Sequence, residues 1–174
     1  AGTVATGFAS LREALDAAGR LSHGQEALAR ALEDRASALQ AELTHARACV
    51  ERLRRDRQLR GMKALAAAVL PAGAATAVVS RGDQELLDVV GTGAGHFPQG
   101  RRGAFAGYHP ADSAWAIGHL ESLRRKGVRY LVLPATSYWW LDHYADFMRH
   151  LHSQHQRVWS DQYGIVFRLR SPRE

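Results

Sequence analysis

Four polar segments of the chain hold the residue types that do chemistry: Ser80-Arg81-Gly82-Asp83, His96-Phe97-Pro98-Gln99, Tyr108-His109-Pro110-Ala111-Asp112-Ser113, and Thr136-Ser137-Tyr138-Trp139-Trp140 with Asp142 and His143 beyond it. An arginine such as Arg81 pairs with phosphate or carboxylate, and a tryptophan face stacks on a sugar ring. A histidine oriented by a carboxylate acts as a general base, so His96 with Asp83 or Asp112 is the candidate acid–base pair. Asp142 and His143 are no such pair, because neighbours on a helix point about 100° apart. The candidate ligand-binding set is Ser80, Arg81, Asp83, His96, Gln99, Tyr108, Asp112, Ser113, Thr136, Ser137, Trp139, Trp140 and His143, with no catalytic residue assigned.

These residues need strands and helices to present them. Val128 to Leu133 is apolar throughout, as a central parallel strand is, and it stops at Pro134. Ala74 to Ser80 is a second apolar run, entered by a Pro-Ala-Gly turn. Between them Ala114, Ile117, Leu120, Glu121 and Arg124 follow helical spacing, with Asp112 placed as N-cap and Arg124, Arg125, Lys126 and Gly127 closing the end. Strand, helix and strand predict a right-handed βαβ crossover. A second helix is expected to start at Thr136 or Ser137 as cap and to run to about Ser153. Gln84 to Val90 suits either a helical turn or a short edge strand.

The glycines of Gly91 to Gly100 do not make a dinucleotide fingerprint, because no helix follows directly and Pro98 intervenes. The segment reads as a glycine-rich connection, followed by a basic loop over Gly100 to Gly107. Arg157 to Ser160 and Ile165 to Leu169, around Gly164, predict an antiparallel hairpin. The expected fold over 71–170 is therefore α/β: a Rossmann-like, mostly parallel sheet with a C-terminal antiparallel hairpin. In open α/β sheets ligands bind beyond the carboxyl ends of the strands, and all four polar segments map to such predicted ends or to the helix starts that follow them.

Residues 11–70 read as a helical, coiled-coil segment, after a flexible lead-in over 1–10. No proline interrupts Leu11 to Arg60, and Gly19 and Gly24 flank the expected kink. Ala29, Ala36, Leu43 and Val50 at heptad position a, with Leu32, Leu39, Ala46 and Leu53 at d, predict a homodimer seam over residues 28–53. A helix lying on its own α/β domain needs the same stripe. The run Arg52, Arg54, Arg55, Arg57 and Arg60 reads as a solvated face.

Composition narrows the classes. The net charge is +6, but all but Lys63 and Lys126 of the 23 basic residues are arginine and they are dispersed along the chain, which argues against a nucleic-acid partner. The single cysteine, Cys49, excludes an intrachain disulfide and suits a reducing, cytoplasmic setting. No run of apolar residues suffices for a membrane span, and the start lacks the pattern of a signal peptide. His150, His152 and His155 have metal-like spacing, yet no carboxylate or cysteine beside them completes a set, so neither metal nor cofactor is expected.

From Pro71 to Leu169 the chain resembles a small α/β module found with glycosyltransferase and methyltransferase domains in actinobacterial cell-surface polysaccharide proteins. The blocks that carry the resemblance are Val79 to Asp83, His96 to Gln99, Tyr108 to Ala114, and Leu133 to Thr136 continuing through Trp139 to Tyr144. Gly95 departs from it, standing where a large aromatic precedes the histidine. The resemblance implies a glycosyltransferase context and no particular activity. The leading expectation is a non-catalytic module that dimerises and binds a sugar, a nucleotide sugar or another small anion. The alternatives are a transferase or hydrolase using His96 with Asp83 or Asp112, and a purely structural coiled-coil assembly protein.

Overall fold

A computed structural model describes the backbone of residues 2–100 and 103–170 and the side chains of residues 11–19, 21–100 and 103–170. Arg101 and Arg102 of the basic loop, and the tail from Ser171, lie outside the described residues. The elements are helix α1 (Gly2–Val69), strand β1 (Thr76–Val78), α2 (Gln84–Val90), β2 (Ala94–His96), α3 (Ser113–Arg125), β3 (Tyr130–Pro134), a 3-10 turn (Ala135–Ser137), α4 (Trp140–His143), α5 (Ala145–Gln154), β4 (Gln156–Ser160) and β5 (Gly164–Arg168). No helix among the described residues is long and apolar enough to cross a membrane.

The chain divides within α1 into two compact units, Ala1–Arg52 and Leu53–Glu174. In the first unit the helix runs on through Gly19 and Gly24 without a break, and it begins at Gly2, inside the segment expected as a flexible lead-in. Leu32, Leu39, Leu43 and Val50 of the heptad seam are all exposed.

The second unit is a mixed sheet in the order β2-β1-β3-β5-β4. β1 pairs in parallel with β2 and with β3, whereas β3–β5 and β4–β5 are antiparallel. Half of the pairings are thus parallel, fewer than expected. The C-terminal hairpin does extend one end of the sheet, as expected, but the parallel part is only three strands: β5 pairs antiparallel with β3, Gly164 to Phe167 are buried there, and β4 is the edge strand.

Side-chain alternation along the strands divides the core into two faces. Ala77, Val79, Leu131, Leu133, Ile165 and Phe167 pack with α3, α4 and α5 through Leu120, Trp140, Phe147 and Leu151. Val78, Val132 and Val166 face the other way, onto Leu59, Met62 and Leu65 of α1 and Leu86, Leu87 and Val90 of α2. The unit is therefore helix, sheet, helix in three layers. Its start at Leu53 rather than near Pro71 follows from this: the last turns of α1 supply one layer.

Two local outcomes differ from expectation. The glycine-rich connection contains a strand, β2, whose Ala94 to His96 pair with Thr76 to Val78. Gly93 makes the approach possible, since a Cβ there would lie 2.3 Å from the Ala74 carbonyl oxygen. The helix after Pro134 is broken into a 3-10 turn, α4 and α5, and neither Thr136 nor Ser137 caps it. The chain turns at Tyr144 (φ −111, ψ 59), whose buried hydroxyl donates to the Pro110 carbonyl at 2.7 Å.

Candidate functional site

The carboxyl ends of β1, β2 and β3 meet at one edge of the sheet. After Val79 the chain reverses through Arg81 (φ 54) and Gly82 (φ 84), both left-handed, and the Asp83 amide donates to the Ser80 carbonyl at 3.0 Å. Asp83 then caps α2 by accepting from the Leu86 amide at 3.1 Å. Arg55 of α1 grips both oxygens of the same carboxylate and reaches Glu85 at 3.1 Å. That guanidinium holds the Asp83 carboxyl below its ordinary range.

His96 ends β2. Its Nδ1 lies 2.5 Å from the Ser80 hydroxyl, with both residues buried. Burial lowers the His96 pKa and the charge of Asp83 opposes that fall. The neutral ring is therefore favoured, in which state Nδ1 can accept from the serine hydroxyl. The exit of β3 is clipped to the same corner, because the Ser137 hydroxyl donates to the Val79 carbonyl at 2.8 Å. Phe105 closes one side, its ring edge-on to His96 at 6.0 Å and its side chain against Gly82. A recess of about 180 Å³ beside β2 is lined by His96, Gln99, Thr76 and Gly95 among others. Gln99 is fixed by its backbone amide, which donates to His119 Nε2 at 2.9 Å.

The remaining predicted residues fall around α3 and α4, apart from Arg81 in the turn between β1 and α2. Asp112 is the N-cap of α3, accepting from the Trp115 amide at 2.7 Å, and Ser113 is that helix's first residue. The exposed Tyr108 packs edge-on to Trp115 at 5.8 Å. Trp139 is 37% exposed, with His109 edge-on at 5.0 Å and His143 at 5.5 Å. Trp140 is fully buried in the core, so it does not present a face to a ligand, and its Nε1 has no hydrogen-bond partner among the described residues. Arg81 and Thr136 are exposed.

The structure thus joins Ser80 to His96, places the charge of Asp83 on the same imidazole and ties Ser137 in through Val79. The hydrogen bonds it gives Asp112 and His96 lead to other partners, Trp115 and Ser80. Arg55 and His119 escaped the sequence reading. Arg55 stands 28 positions before its partner in an arginine run that looked solvated, and no local signal distinguishes it from its neighbours.

Fold and site together define a mixed α/β protein with a long N-terminal helix and a polar corner at the ends of its parallel strands. No protein-family model, curated protein or solved structure matches the chain.

Proposed function

We propose that the chain is a dimerising, ligand-binding accessory module that acts beside a glycosyltransferase and does no chemistry itself. The observation that carries this reading is the Ser80–His96 pair with Asp83 at the adjoining strand ends, the position where open α/β sheets bind ligands. Asp83 is engaged by Arg55 and the Leu86 amide, which supports binding over acid–base work. The exposed Arg81 suits an anionic group and the exposed Trp139 a sugar face, so the ligand class is a sugar, a nucleotide sugar or a related anion. The parallel β2-β1-β3 part is the portion that a Rossmann-like reading uses.

The exposed leucines of the seam support a homodimer through residues 28–53. Association with a glycosyltransferase rests on the sequence resemblance, and a cytoplasmic setting on the lone, exposed Cys49. Calorimetry of the full chain against nucleotide sugars and surface glycans tests the reading. Saturable heat that His96→Ala and Trp139→Ala weaken supports it; no heat from any of them refutes it.

A second reading, hydrolase or transferase, draws on the 2.5 Å approach of Ser80 to His96, with the hydroxyl as nucleophile and the imidazole as base. Turnover of activated glycosides or esters that Ser80→Ala abolishes would favour it.

A further inference from the structure

Glu121, His150 and His155 form a cluster that the reading above does not use. Glu121 comes from α3, His150 from α5, and His155 from the junction of α5 and β4. His150 Nε2 lies 3.0 Å and His155 Nε2 3.2 Å from one and the same oxygen, Oε1 of Glu121. The ligand atoms of all three residues fall within 4.8 Å of one another. The side chains are 21%, 2% and 18% exposed for His150, His155 and Glu121, so the cluster is largely enclosed but open on one side.

The second carboxylate oxygen, Oε2, is held by Arg124 at 2.6 Å, and Arg124 is braced in turn on the Arg170 carbonyl at 2.9 Å. Arg124 alone balances the charge of Glu121. Two further imidazoles from different elements, one of them buried, converge on the remaining oxygen, which is more than charge balance asks. The cluster also lies away from the Ser80 corner, since α5 leads into β4 at Gln156, which pairs with Arg168 opposite Tyr130 at the amino end of β3.

Zinc takes imidazole nitrogen at about 2.0–2.1 Å and carboxylate oxygen at about 2.0–2.2 Å. Ligand atoms on a tetrahedron of that size stand roughly 3.3–3.5 Å apart. The two nitrogen–oxygen separations here reach that spacing with a shift of a few tenths of an ångström. Imidazole with carboxylate suits zinc-like ions, whereas calcium and magnesium prefer all-oxygen shells.

We propose that Glu121, His150 and His155 form a three-ligand site for a divalent transition metal of the zinc type, with solvent at the fourth corner. Glu121 binds through Oε1 alone, and Arg124 holds Oε2 as an outer support that fixes the carboxylate's direction. The ion then cross-links α3, α5 and the start of β4.

The test uses the full chain, freed of any affinity tag and stripped with chelator, titrated with Co²⁺ and with Zn²⁺. The expected result is one equivalent bound per chain, visible d–d bands of tetrahedral Co²⁺ that Zn²⁺ bleaches, and a higher thermal midpoint with metal. Glu121→Gln and His150→Ala are each expected to weaken binding at least tenfold, while His152→Ala, whose ring lies against Phe167, leaves it unchanged. Far-UV circular dichroism confirms that each variant folds, and His150, only partly buried, keeps one variant outside the core. Absence of saturable binding, or binding that survives both Glu121→Gln and His150→Ala, overturns the proposal.

Discussion

The Ser80 hydroxyl and His96 Nδ1 stand 2.5 Å apart at the adjoining ends of β1 and β2, and neither side chain has appreciable exposure. Removing the hydroxyl leaves a buried ring nitrogen without its partner, and an orphaned polar group costs about 1–3 kcal/mol. Ser80→Ala is therefore expected to lower the unfolding free energy by that amount, read as a lower urea midpoint with an unchanged denaturant slope. An unaltered midpoint would show that the contact does not hold the corner together.

The same corner sets a pH dependence. The folded pKa of Asp83 is depressed by Arg55, and those of His96 and His119 are depressed by burial. In each case the unfolded chain binds protons more readily, so stability is complete above the unfolded pKa and falls with pH. For the two imidazoles the loss begins below about 6.5, and for Asp83 it follows below about 4. Equilibrium unfolding from pH 8 to pH 3 should show both declines, and Asp83→Asn should flatten the acidic one. Stability that rises on acidification from pH 7 to pH 5 would reverse the assignment.

The neighbouring tryptophans separate folding from binding. Trp140 is 0% exposed and packs in tilted and edge-on contacts among Phe97, Tyr144 and Phe147, so Trp140→Ala should cost about 3–5 kcal/mol or prevent folding. Trp139→Ala should leave the thermal midpoint within about 2–4 °C and reduce ligand heat instead. Equal destabilisation by the two would remove Trp139 as a ligand surface.

Gly61 offers a test of how the last turns of α1 pack within the second unit. Alanine in a helix is favoured over glycine by about 1 kcal/mol, but a Cβ at Gly61 would lie 2.2–2.5 Å from ring atoms of Tyr163. The clash should outweigh the propensity. Gly61→Ala is expected to destabilise, and Gly61→Ala with Tyr163→Ala to recover the helix gain in part. A stabilised single variant would mean that Tyr163 moves aside freely.

Much of the fold was legible because its signals are local. The α3 spacing, its Asp112 cap, the apolar β3 and the hairpin around Gly164 all needed only neighbouring residues. β2 was not, since Ala94 to His96 have no strand propensity of their own and are ordered by pairing with β1. The break after Pro134 was hidden for a similar reason: the Ser137 hydroxyl bonds to Val79, 58 positions earlier, rather than to its own helix. Ser80 and His96 were visible as candidates, but Arg55 and Glu121 were not. Glu121 lies 29 positions before His150, so the carboxylate absent from the histidines' own segment arrives only through the packing of α3 on α5.

The exposed seam predicts self-association. Leu39→Asp with Leu43→Asp should convert a concentration-dependent dimer to monomer in sedimentation equilibrium without loss of the α/β unit's cooperative unfolding. A wild-type chain that stays monomeric at high micromolar concentration would exclude the seam as a dimer interface.

The most direct measurement is calorimetric titration of the full chain with nucleotide sugars and glycans, repeated on His96→Ala. A saturable heat for at least one of them, weakened at least tenfold in the variant, is the predicted result. Heat that is absent throughout, or identical in wild type and variant, contradicts a ligand site at the strand ends.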